Sequence, residues 1–137
     1  MYVAGLVIPV PGDRMEAYRK WAENSAQFFR EYGCLEIVEC WEDFVPDGKL
    51  TDFRKAVAAK EGEKIVFAWQ IWSDKESFTA AEEKMHQDPR MDSAGDPPFD
   101  GGNCLHGAAA SGIATTPPWL PFNRRPSCRS LPPSRIT

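Results

Sequence analysis

Residues 2–10, YVAGLVIPV, form an apolar, β-branched run that reads as a strand, and the PGD that follows breaks it and offers Asp13 as a helix N-cap. From Arg14 to Tyr32 the apolar residues Met15, Tyr18, Trp21, Ala22, Phe28, Phe29 and Tyr32 recur at three- and four-residue steps. This is the period of an amphipathic helix, and Gly33 supplies a left-handed stop. Residues 34–44, CLEIVECWEDF, alternate: Leu35, Ile37, Glu39 and Trp41 share one face, with Cys34, Glu36, Val38, Cys40 and Glu42 on the other. Residues 63–72, EKIVFAWQIW, are apolar on both faces, with Ile65, Phe67, Trp69 and Ile71 opposite Val66, Ala68, Gln70 and Trp72. A strand of that kind is covered on both sides. A second helix opens at Ser73-x-x-Glu76, read as a capping box, carries Phe78, Ala81 and Met85, and ends where Asp88 precedes Pro89.

The order β-α-β-β-α lacks one strand of a ferredoxin-like α/β plait, an α+β fold with an antiparallel sheet and both helices on one face. The bare face of such a sheet is usually buried by a second copy, so a homodimer is expected. The last strand belongs after PPFDG, where the sequence turns to residues of weak strand propensity. Residues 102–137 hold six of the twelve prolines and no acid, and they are expected to be a disordered tail with the last strand weak or lost.

Charge follows the same division. All 20 acidic and 12 of the 16 basic residues lie in residues 1–100, a net −8, whereas the remainder carries four arginines and +4. An acidic body makes nucleic-acid binding unlikely, because phosphate contacts need a basic face. The chain has no run resembling a membrane span and no basic segment before its first apolar stretch, so a cytoplasmic protein is expected. The four cysteines show no metal-ligand or disulfide-framework spacing. No metal or cofactor is expected, and no nucleotide, zinc-protease or hydrolase motif occurs.

The motifs VECWEDFVPDGKLTDFRKAV, VFAWQIWSDKES and KMHQDPRM occur in order between Val38 and Met91, within a resemblance that runs from about Tyr2 to Gly101. In these the chain resembles the DUF1428 domain family, and the resemblance implies a dimeric α/β-barrel type of fold over residues 1–101. In that family PFDG is followed by a basic-apolar strand, to which Leu105, His106 and Gly107 correspond faintly. A frameshift near codon 102 would explain the departure, as would a natural lineage-specific tail.

Candidate chemistry centres on a pocket between sheet and helices. Glu39 and Trp41 place a carboxylate beside an aromatic plate there, and burial would raise the carboxyl pKa and suit it to proton transfer. The alternative for Glu39 is a salt bridge to a nearby Lys or Arg. Trp69 is expected to complete the wall. In the polar connection PDG reads as a turn with Gly48 at positive φ, while Asp52 and Arg54 project from one side and, with Lys49, border the pocket mouth or a dimer surface. Arg90 completes the candidate ligand-binding set of Glu39, Trp41, Lys49, Asp52, Trp69 and Arg90. Trp69 with His86 invites comparison with haem-degrading members of the superfamily, but no matching Asn is identifiable. The expected function is binding of a small organic metabolite. A cofactor-independent monooxygenase-like enzyme is the second reading, and an RNA-associated protein the third.

Overall fold

The computed structural model describes residues 1–93 and 95–111. Four strands, β1 (Tyr2–Pro11), β2 (Glu36–Trp41), β3 (Glu63–Trp72) and β4 (Leu105–Ala110), form one antiparallel sheet in the order β2-β3-β1-β4. The helices are α1 (Met15–Glu31), the short α2 (Phe53–Ala56), α3 (Lys75–Gln87) and the short α4 (Arg90–Ser93). The chain is thus an α+β protein with an open four-stranded sheet.

The alternation in β3 divides the sheet as the sequence pattern requires. Val66 and Ala68 join Ile8, Val10 and Tyr18 in a core beneath α1. Trp72 packs with Cys34 and Ala81, linking the sheet to α3. On the opposite face Ile65 meets Val7 and Val57. The 42–62 connection therefore folds over one end of that second face, and the chain itself covers part of what a second copy was expected to cover.

Four local expectations are corrected. Asp13 lies in a 3₁₀ turn, Gly12–Arg14, without capping, and α1 begins after it. The second long helix is capped by Asp74, whose carboxylate accepts from Ser77 N–H at 2.7 Å, instead of by Ser73. A carboxylate outcompetes a hydroxyl at this position because it also opposes the positive helix end. Gly48 is absent from the residues at positive φ; it is required because a Cβ there would lie 1.8 Å from the Thr51 carbonyl oxygen. Finally, the weak or lost last strand is present as β4, paired with β1 from Tyr2↔Ala110 to Val7↔Leu105. Backbone pairing with the β1 edge outweighs the low strand propensity of its alanines. The rest of the expected tail, residues 112–137, lies outside the described residues.

Candidate functional site

A cavity of about 490 Å³ opens between α1 and β2. Its walls are mostly apolar, from Met15, Ala22 and Ala26 on the helix and Ile37, Trp41 and Val66 on the sheet, with Arg19, Glu23, Gln27 and Arg30 also lining it. The geometry follows from two periods. On α1, Tyr18, Ala22 and Ala26 stand four residues apart and share a face. On β2, Ile37, Glu39 and Trp41 alternate toward that face, opposite Gln70, Ala68 and Val66 of β3.

The polar centre is a pair. Tyr18 donates its hydroxyl hydrogen to Glu39 Oε2 at 2.8 Å. Burial raises the Glu39 pKa above the ordinary carboxylate value, and the Tyr18 hydrogen bond opposes this without reversing it. Glu39 remains open to solvent on its outer side, so the shift reflects apolar walls around the carboxyl and not full enclosure. Tyr18 is pushed in the same direction, by burial first and then by the Glu39 charge, and its phenol stays protonated across the physiological range. Trp21, Trp41 and Phe99 surround the Tyr18 ring at centroid distances of 5.9, 6.4 and 5.8 Å. Such a frame fixes the hydroxyl direction.

Of the six residues singled out from the sequence, the structure brings two together, Glu39 and Trp41. Trp69 is corrected: it pairs with Val38 on the opposite face of the sheet, 5.7 Å from the Phe67 ring, because odd and even positions of β3 point to different sides. Asp52 is not in a strand. It caps α2, accepting from Lys55 N–H at 2.8 Å and Gly48 N–H at 3.1 Å, and these backbone bonds lower its pKa. Arg54 therefore sits on a helical turn and does not share a strand face with Asp52. Lys49 is exposed in the same loop, and neither it nor Asp52 lines the cavity. Arg90 bonds Asp88 and Glu31 at 2.8 Å each and lies over the Phe28 ring, tying the end of α3 to α1 away from the cavity.

Two site residues escaped the sequence reading, Tyr18 and Ser25. Tyr18 falls within the apolar period of α1, and Ser25 belongs to no motif. The available signal was position: Ser25 stands seven residues after Tyr18, on the buried face of α1, where a polar residue needs a reason. Among the described residues no three His, Cys, Asp or Glu gather to hold a metal ion. None of the helices there is long and apolar enough to cross a membrane.

The comparisons agree with the sequence motifs. Residues 1–101 match the model of a family described as "Protein of unknown function (DUF1428)". The chain is 50% identical over 111 residues to "Uncharacterized protein YbaA" of Escherichia coli (strain K12), covering 80% of this chain and 95% of that protein. The same figures hold for YbaA of Shigella flexneri. Among solved structures, the de novo designed protein Foldit4 aligns with 80% of this chain and 97% of its own, at a TM-score of 0.44 and 14% identity.

Proposed function

The chain belongs to the DUF1428 family, and from that membership we propose that it is a homodimeric, ferredoxin-like binding protein that holds a small apolar organic molecule between α1 and β2. The observation that carries this reading is the Tyr18–Glu39 pair within a 490 Å³ cavity whose remaining walls are largely apolar. A concave apolar site with a few convergent polar groups is the usual form of a small-molecule pocket. The strand order supports the plait, since β2-β3-β1-β4 with α1 and α3 against one face is the order such a fold requires. Dimerisation is supported by the second face, where Phe67 is 41% exposed and Leu105 51% exposed. A cytoplasmic location fits the free thiols of Cys34, Cys40 and Cys104.

The test is a fragment screen by ligand-observed NMR against the wild type and Ala22→Phe, which fills the cavity from its α1 wall. Apolar fragments are expected to bind the wild type and to lose binding in the variant while its circular dichroism is unchanged. Hits that bind both forms equally would place the ligand elsewhere and overturn the reading.

The second reading is an enzyme of the cofactor-independent monooxygenase type, in which Glu39 moves a proton. Its support is the raised pKa of a carboxyl already hydrogen-bonded to a phenol. Substrate-dependent oxygen uptake that Glu39→Gln abolishes in a folded variant would favour it over simple binding. The net −8 of residues 1–100 gives no support to an RNA role.

A further inference from the structure

Deeper than the main cavity lies a second one of about 80 Å³, and the two share Tyr18, Ala22, Ala26, Ile37 and Glu39 as walls. Ser25 lines the inner cavity and is 4% exposed. Its Oγ is the one buried side-chain polar atom without a hydrogen-bond partner among the described residues. A helical serine ordinarily satisfies its hydroxyl on a carbonyl of the preceding turn. Leaving a hydroxyl buried and unpaired carries a desolvation penalty, so such a group calls for a partner from outside the chain. Glu39 lines the same cavity: its Oε2 accepts from Tyr18, and its Oε1 has no protein donor among the described residues.

Resting on the binding reading above, we propose that the inner cavity receives a hydroxyl group and that the ligand is an uncharged alcohol or phenol whose apolar body fills the outer cavity. The hydrogen-bond stoichiometry selects this class. A hydroxyl has one donor and two acceptor positions, so it donates to Glu39 while accepting from Ser25 O–H. A carboxylate head would meet the Glu39 carboxylate at close range. An ammonium head has three donors and no acceptor, which leaves the Ser25 hydrogen unsatisfied and one of its own unpaired. A purely apolar ligand fills the outer walls and leaves Ser25 as it stands.

Four probes of one shape separate these cases: 4-ethylphenol, ethylbenzene, 4-ethylbenzoate and 4-ethylbenzylammonium, each titrated into the full chain and followed by backbone amide chemical shifts. Binding of 4-ethylphenol is expected to exceed that of the other three about tenfold, with shifts at Ala22, Ser25 and Glu39. Ser25→Ala is expected to weaken 4-ethylphenol about fivefold and to leave ethylbenzene unchanged. Equal binding of ethylbenzene and 4-ethylphenol at these residues would mean that the inner cavity holds water alone. That result, tighter binding of the ammonium or carboxylate, or indifference to Ser25→Ala would overturn the hydroxyl assignment and leave the pocket standing. No shift with any probe would overturn both.

Discussion

Arg54 Nη2 lies 2.7 Å from one carboxylate oxygen of Glu42 and 2.8 Å from the other. The same carboxylate accepts the Ile65 N–H at 2.7 Å and meets Lys64 Nζ at 3.3 Å, while Arg54 also donates to the Glu63 carbonyl at 2.9 Å. These bonds join the end of β2, α2 and the start of β3, and they explain why a charged connection adjoins aromatic strands: its charges hold the connection onto the sheet.

Burial alone would raise the Glu42 pKa, but the Ile65 N–H, Arg54 and Lys64 together outweigh it and lower the value. Glu42 thus stabilises the fold above its ordinary carboxylate value of 4.5, and that contribution fades as pH falls through the lower folded value. Glu42→Gln is expected to cost about 2–4 kcal/mol at neutral pH, because Arg54 and the Ile65 N–H lose a charged acceptor. Chemical denaturation at pH 7 and pH 3 checks this, with a smaller difference between variant and wild type at the lower pH. Equal differences at both pH values would contradict it.

Glu39 has the opposite sign. Its folded pKa is raised, so its native carboxyl holds a proton that the unfolded chain has already lost, and stability declines as pH rises from 4.5 through the folded value. Glu39→Gln removes this decline and retains an oxygen for Tyr18. The variant is therefore expected to gain on the wild type as pH rises from 4.5 through the raised folded value and to hold a constant margin above it. Denaturation midpoints taken as differences between the two proteins isolate Glu39 from Glu42, Asp52 and Asp88, whose lowered values act the other way.

What the sequence disclosed and what it concealed follow from the range of the interactions. The two-sided alternation of β3 and the three-four spacing of α1 are local patterns, and both elements stand where those patterns put them. The period-two rule likewise placed Glu39 beside Trp41 on the cavity side. The same rule puts Trp69 on the other side of β3 from Val66 and Ala68, but only the pairing with β2 decides which side meets the cavity, and so the expectation that Trp69 completes the wall fails. The Tyr18–Glu39 bond spans 21 positions, and no local period encodes it. Asp52 is ambiguous in the sequence because one residue type serves as strand surface charge and as helix cap, and the four residues of α2 are too few to show a period. β4 was hidden because its pairing is supplied by the backbone of β1.

The second sheet face bears on the oligomeric state. Phe53 stacks on Phe67 at 5.8 Å and an interplanar angle of 10°, and Phe67 touches Trp69 at 5.7 Å. Phe53 and Phe67 are 42% and 41% exposed, so this aromatic row is only partly covered by its own chain. If it is the homodimer surface, the wild type elutes as a dimer by light scattering, and Phe67→Glu is expected to give a monomer with unchanged circular dichroism. A monomeric wild type would remove the dimer from the proposed function and leave the α1–β2 cavity unaffected.

The last strand decides how much of the chain the fold needs. β4 pairs six residues with β1, and Ser111 N–H extends the ladder to the Met1 carbonyl at 3.0 Å. Every β4 residue is exposed, so its contribution is mainly the backbone ladder and protection of the β1 edge. Truncation after Gly101 is expected to lower the denaturation midpoint clearly and to promote aggregation, because β1 becomes a long apolar edge. Truncation after Ser111 is expected to match the full chain. The ordering of the two midpoints is the test, since a loss shared equally by both truncations would assign the stability to residues beyond the sheet instead of to β4.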